Sequence, residues 1–223
     1  MIRGWIEDLL TLTEDDWFHY AFNCDPFVGR ITRPSQSEYC QKAADSAVAL
    51  AYHLRGEYGD NTIDYYAKQM GVSLLYKSEE SSSGYTMFAC YKEPNTITVF
   101  LDNAEATDKL LAENKLQELV GTVKTADLLA AHELYHYLEQ TIPDIYTAQK
   151  HITLWKLGPI ENRSRIIYLE EIGAMAFAKE LTGLKCSPYV FNVIMLYPRN
   201  PQRAKKLYET FMGFGSGRSE RLC

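Results

Sequence analysis

No run of apolar residues approaches the roughly 20 that a membrane helix needs. Glu7 and Asp8 interrupt the apolar rhythm of the first twelve residues, so no secretory leader is evident there. These absences predict a cytoplasmic chain with no membrane partner. A surplus of positive charge is also missing. The formal net charge is -6, which repels phosphate backbones and argues against direct nucleic-acid binding. The one basic stretch, with Arg199, Arg203, Lys205 and Lys206, reads as a solvated helix face. Cysteine is sparse and odd in number. No two of Cys24, Cys40, Cys90, Cys186 and Cys223 stand at metal-ligand spacing, and reduced thiols fit better than a disulfide framework. There is no internal repeat, and Ser81-Ser82-Ser83-Gly84 is a short flexible loop rather than a low-complexity domain.

What is present suffices for a real core: 223 residues, 46% hydrophobic. Three segments are expected: a helical extension over 1–34, a main domain over 35–185, and C-terminal helices with a tail over 186–223. Ile2, Trp5, Ile6, Leu9 and Leu10 follow helical spacing, and a second short helix starts at Thr13 and carries Trp17 and Phe18. Pro26, Gly29 and Pro34 break that pattern. Ser35 and Glu38 form a capping-box pattern before a helix with Ala43, Ala44, Ala47, Val48 and Ala51 on one face. A short helix runs from about Thr62 to a cap at Gly71. Strands are expected at 72–76, 85–91 and 96–101, the last two joined by a turn at Lys92-Glu93-Pro94-Asn95. Helices follow at 104–120, from a Thr125 cap to about Glu139, and from Arg163 to Leu181. Ser187-Pro188 and Asn200-Pro201 open two more, and Gly213–Cys223 reads as a frayed tail. The fold class is α+β: helix-rich, with a small, mostly antiparallel three-stranded sheet.

The chemistry concentrates in Leu128–Gln140, LLAAHELYHYLEQ. His132 and His136 are four apart, so a helix places both imidazoles on one face, one turn apart. That spacing lets two nitrogens reach one zinc ion. Glu133 flanks the pair without ligating, where a metallopeptidase carries its general base. Zinc needs a third protein ligand, and YLEEIGAMAFAKEL (Tyr168–Leu181) supplies Glu170 and Glu171 as candidates. Ala174, Met175 and Ala178 share the face of Glu171, and the two alanines let it approach the metal helix. Glu170 points about 100° away. Transition-state stabilisation needs a further donor, for which His151 and Tyr168 are candidates by sequence proximity. His19 and His53 read as structural or exposed.

HELYH followed, about 35 residues on, by Glu171, Ala174, Phe177 and Ala178 resembles the ImmA/IrrE family of zinc peptidases. The resemblance covers roughly residues 40–185, and the order of elements matches. It implies one zinc per chain, held by His132, His136 and Glu171, with Glu133 as catalytic base. It also implies a protein or peptide substrate, specifically a helix-turn-helix repressor of a mobile element or stress response. The alternative is a metal-binding regulator that sequesters such a repressor without cutting it. The family usually has a small residue at Tyr135, so bulk is expected there beside the metal, and asparagine at Met175.

Overall fold

The structure, a computed structural model, describes residues 1–78 and 87–215. It opens with α1 (Ile2–Leu9) and α2 (Glu14–Asn23). Ile2, Ile6 and Leu9 bury one stripe of α1. Thr13 and Asp16 close the capping box that starts α2. Next come α3 (Arg33–Tyr58) and the shorter α4 (Ile63–Gln69). The three-stranded sheet holds β1 (Ser73–Lys77), β2 (Ala89–Lys92) and β3 (Thr96–Phe100). From it the chain passes through α5 (Leu101–Glu113) and α6 (Gln117–Val120) to α7 (Thr125–Thr141). After α8 (Tyr146–Gln149), β4 (His151–Leu157) and β5 (Ile160–Arg165) pair as a separate hairpin. Then α9 (Tyr168–Thr182), α10 (Tyr189–Leu196) and α11 (Pro201–Gly215) complete the fold.

Small residues decide how the centre packs. The buried Ala43, Ala44, Ala47 and Ala51 give α3 a flat face, and buried Gly173, Ala174 and Ala178 do the same for α9. Without bulky side chains between them, helix backbones approach closely, so α9 lies between α3 and α7. Arg55 of α3 fixes the far end of α9. Its guanidinium donates to the Glu180 and Leu181 carbonyls at 2.6 and 3.2 Å, at the end where unpaired carbonyls favour a cation. Gly183, left-handed at φ 69, then turns the chain out of the helix. The other flank of α7 packs on β2 and β3, which puts the sheet over the motif helix.

Several expectations need correction. α3 begins at Arg33, with Pro34 in its first turn, where a missing N–H costs nothing. Glu38 therefore does not complete a cap with Ser35 but pairs with Lys42 at 2.6 Å. The expected helix over 104–120 is two helices, broken where Lys115 takes φ 52, although Gly121 does end the second. The sheet is mixed rather than mostly antiparallel. β3 is central: the short turn from Lys92 to Thr96 makes it antiparallel to β2, and it runs parallel to β1 on the other edge. The helix expected from Arg163 begins only at Tyr168. Residues before it form the β4–β5 hairpin, turned at Gly158 with φ 58. Arg165 is held there by Glu139 at 2.9 Å and Glu170 at 3.2 Å. α11 continues through Gly213 to Gly215, so the expected fraying there does not occur; the rest of that tail and the Ser81–Gly84 loop lie outside the described residues. Cys40, Cys90 and Cys186 are free thiols. Arg203, Lys205 and Lys206 are exposed on α11, as expected of a solvated face.

Candidate metal centre

Neither helix that carries the motif residues caps itself. Thr125, expected as the cap of α7, is instead its first helical residue. Its N–H and its hydroxyl both donate to Asp108 Oδ1 of α5, at 3.0 and 2.6 Å. At α9 the Tyr168 N–H donates to Asp25 Oδ2 at 3.2 Å, across 143 residues of sequence. The other oxygen of this buried carboxylate accepts from the Phe27 N–H at 2.8 Å. Two carboxylates from other segments thus satisfy the first turns of both helices, where free N–H groups and the helix dipole favour negative charge. Neither was foreseen, since a cap from a distant segment leaves no local pattern.

The two helices bring three donors together. His136 Nε2 and His132 Nε2 are 3.2 Å apart. Glu171 Oε2 is 3.4 Å from His132 Nε2, and Oε1 is 3.6 Å from His136 Nε2. In a tetrahedral zinc site with bonds of about 2.0–2.2 Å, donor atoms stand roughly 3.3–3.6 Å apart. The three separations fit that geometry, so these residues suit a metal ion and leave one side open. Among the described residues this is the one group of three or more His, Cys, Asp or Glu side chains with such spacing. Glu170 is elsewhere, between Arg165 and Glu139.

Electrostatics match this arrangement. Burial pulls His132 down, but the hydrogen bond and charge of Glu171, with Glu133 adding, outweigh it, and the net shift is up. Burial and the neighbouring His132 push His136 down to about 4. Burial would raise Glu171, yet the two histidines hold it at about 2. The trio therefore holds an ionised carboxylate and a neutral imidazole, both in ligand form. Glu133 differs. Burial raises its carboxyl, and Glu171 adds to that, against His132 and a hydrogen bond from the Tyr91 backbone. A carboxyl raised toward neutrality suits proton transfer.

That Tyr91 contact places the sheet. β2 is an edge strand. The Phe100 N–H donates to the Phe88 carbonyl at 2.9 Å, and paired residues alternate along an antiparallel ladder. Phe88 and Cys90 therefore face β3, while Ala89 and Tyr91 present their backbone groups to the open edge. Tyr91 gives its N–H to Glu133, and Ala89 keeps an outward N–H and carbonyl. A cavity of about 410 Å³ lies between this edge, α7, α9 and α10, with His132, Glu133 and Glu171 in its wall.

Tyr135 does stand next to a ligand histidine, its ring 6.5 Å from that of His136 between centroids, but it does not line the cavity. It is fully buried behind α7, where its hydroxyl is 2.9 Å from Thr147 Oγ1 and its ring lies against Phe177 at 5.6 Å between centroids. Gly173 makes the room: a Cβ there would stand 2.4 Å from the Tyr135 hydroxyl oxygen. Met175 does line the cavity. His151 and Tyr168 do not. His151 is exposed, and its Nδ1–H donates to the Gln149 carbonyl at 2.6 Å; half-buried Tyr168 is one turn before Glu171. Tyr189 is a buried hydroxyl with no hydrogen-bond partner among the described residues. Burial, then the Glu171 charge, drives its pKa well up and keeps it a neutral donor. Comparison with models of protein families, with curated proteins and with solved structures found no match.

Proposed function

We propose that this chain is a zinc-dependent peptidase, of the class whose base and two ligands share one helix and whose third ligand is a glutamate on a second. Within that class, the HELYH and Glu171-to-Ala178 motifs favour the ImmA/IrrE family, with a helix-turn-helix repressor as the protein substrate. The carrying observation is the position of Glu133. Its carboxyl lines the cavity beside the triad yet belongs to no part of it.

Bound by His132, His136 and Glu171, zinc supplies Lewis acidity to a peptide carbonyl and eases deprotonation of water. The other work falls to the chain. The outward N–H and carbonyl of Ala89 pair with an extended substrate, adding a strand to the edge of β2. The Tyr91 N–H holds the Glu133 carboxyl in place. Glu133 takes the proton of the attacking water and returns it to the leaving amine, a role typically worth about 10²–10⁴ in rate.

The test is Glu133→Gln against wild type, incubated with a candidate helix-turn-helix repressor encoded nearby and followed by gel and mass spectrometry. The variant is expected to keep stoichiometric zinc and its melting temperature, and to leave the repressor intact. If both proteins relieve repression equally with the repressor uncut, hydrolysis is wrong and sequestration is the function.

A further inference from the structure

Resting on the peptidase reading, we propose that the cavity beside Glu133 receives one large apolar side chain of the substrate, next to the bond that is cut, and that Met175 sets the size it accepts. At about 410 Å³ the cavity is near the small end of ligand pockets, roughly 300–1,000 Å³. That is room for one or two side chains rather than a whole folded element.

Its lining has two parts. The polar part holds His132, Glu133 and Glu171 at the metal end, and Asn192. Away from it the walls are apolar, formed by Met87 and Phe88, Leu129 of α7, Met175 of α9, and Phe191 and Met195 of α10. Among the described residues no lysine or arginine lines it. An acidic side chain would lose its hydration there without a partner. A leucine, methionine or phenylalanine would gain free energy by leaving water. Met87, Met175 and Met195 are among these walls, and their unbranched thioethers adjust to more than one shape. A strand paired to the Ala89 edge sends alternate side chains to opposite faces, so a residue of the bound peptide turns into this space.

Met175 is a partition. On α9, Glu171, Met175 and Ala178 face the metal cavity. Ile172, Met175, Ala176 and Lys179 face a second cavity of about 250 Å³, walled on its far side by Leu9, Trp17 and Phe18 of the N-terminal helices. Met175 and Pro188 are the residues common to both linings. Shortening Met175 joins the two spaces.

The experiment uses zinc-loaded full-length protein and a peptide set varied at one position among Leu, Met, Phe, Trp, Ala, Asp and Lys. Wild type is scored for cleavage by mass spectrometry, and Glu133→Gln for binding by fluorescence anisotropy. Leu, Met and Phe are expected to exceed Ala, Asp and Lys by about tenfold or more in both arms. Met175→Ala is expected to shift the preference toward Trp. Leu129→Lys is expected to shift it toward Asp, and this serves if the first variant fails to fold. Cleavage without apolar preference, or an unchanged profile in the folded variants, overturns the pocket and leaves the peptidase. Apolar-selective binding with no cleavage by wild type overturns the peptidase and leaves the pocket. Absence of both binding and cleavage overturns both.

Discussion

Among single residues, metal content is the most direct readout. His132→Ala or His136→Ala is expected to drop zinc from about one per chain to near none, measured by elemental mass spectrometry after dialysis. Full zinc in the double variant would reject the site. Glu171→Gln should weaken binding strongly. Glu170→Gln should change it little, because that carboxyl faces Arg165 and Glu139 instead. The four-residue spacing and the small-residue face made these donors legible, since both depend only on helical period. Tyr135 was not legible. Its position depends on the space above Gly173 in another helix, and no local pattern carries that. Gly173→Ala should therefore destabilise by about 1–3 kcal/mol through overpacking. In a denaturation cycle, adding Tyr135→Leu should make the pair cost less than the sum of the singles. Strict additivity would mean that the hollow over Gly173 does not need a glycine.

For the elements, the two remote caps carry the prediction. Asp108→Ala and Asp25→Ala each remove a carboxylate from the first turn of a motif helix. Losing an N-cap costs about 0.5–2 kcal/mol, and urea denaturation should show a loss of that size for each. Zinc affinity should fall too, since the three candidate donors sit within the first four turns of α7 and the first of α9. Unchanged stability in both would mean that water serves these helix ends equally well. Most helices were legible because their apolar stripes recur every three or four residues. The β4–β5 hairpin was not, because Arg163 and Arg165 continue a pattern that also suits a helix. What settles the strand is the contact of Arg165 with Glu139 and Glu170, set by the tertiary fold. The caps were hidden for a related reason: Asp25 reads as an ordinary loop residue until α9 is placed beside it.

At the scale of the whole molecule, the segment over 1–34 behaves as part of the core. Ile6, Leu9, Trp17, Phe18 and Phe22 join the same buried cluster as the residues of α3, α7 and α9. Each such side chain contributes about 1.5–3 kcal/mol on burial, together comparable to a typical total stability of about 5–15 kcal/mol. A protein lacking residues 1–27 should show no cooperative unfolding transition by calorimetry or circular dichroism. A truncated form that melts within a few degrees of wild type and binds zinc would make the segment dispensable. The central position of α9 has a consequence in time. α3 leaves the ribosome with its alanine face bare, and the helix that covers it is made about 130 residues later. At about 5–20 residues per second, that is a wait on the order of ten seconds, during which a chaperone or a neighbouring nascent chain has access to the face. The two histidines emerge before the glutamate, so a growing chain that stops short of Glu171 cannot complete the triad, and a ribosome stalled there releases a product with two of the three candidate donors.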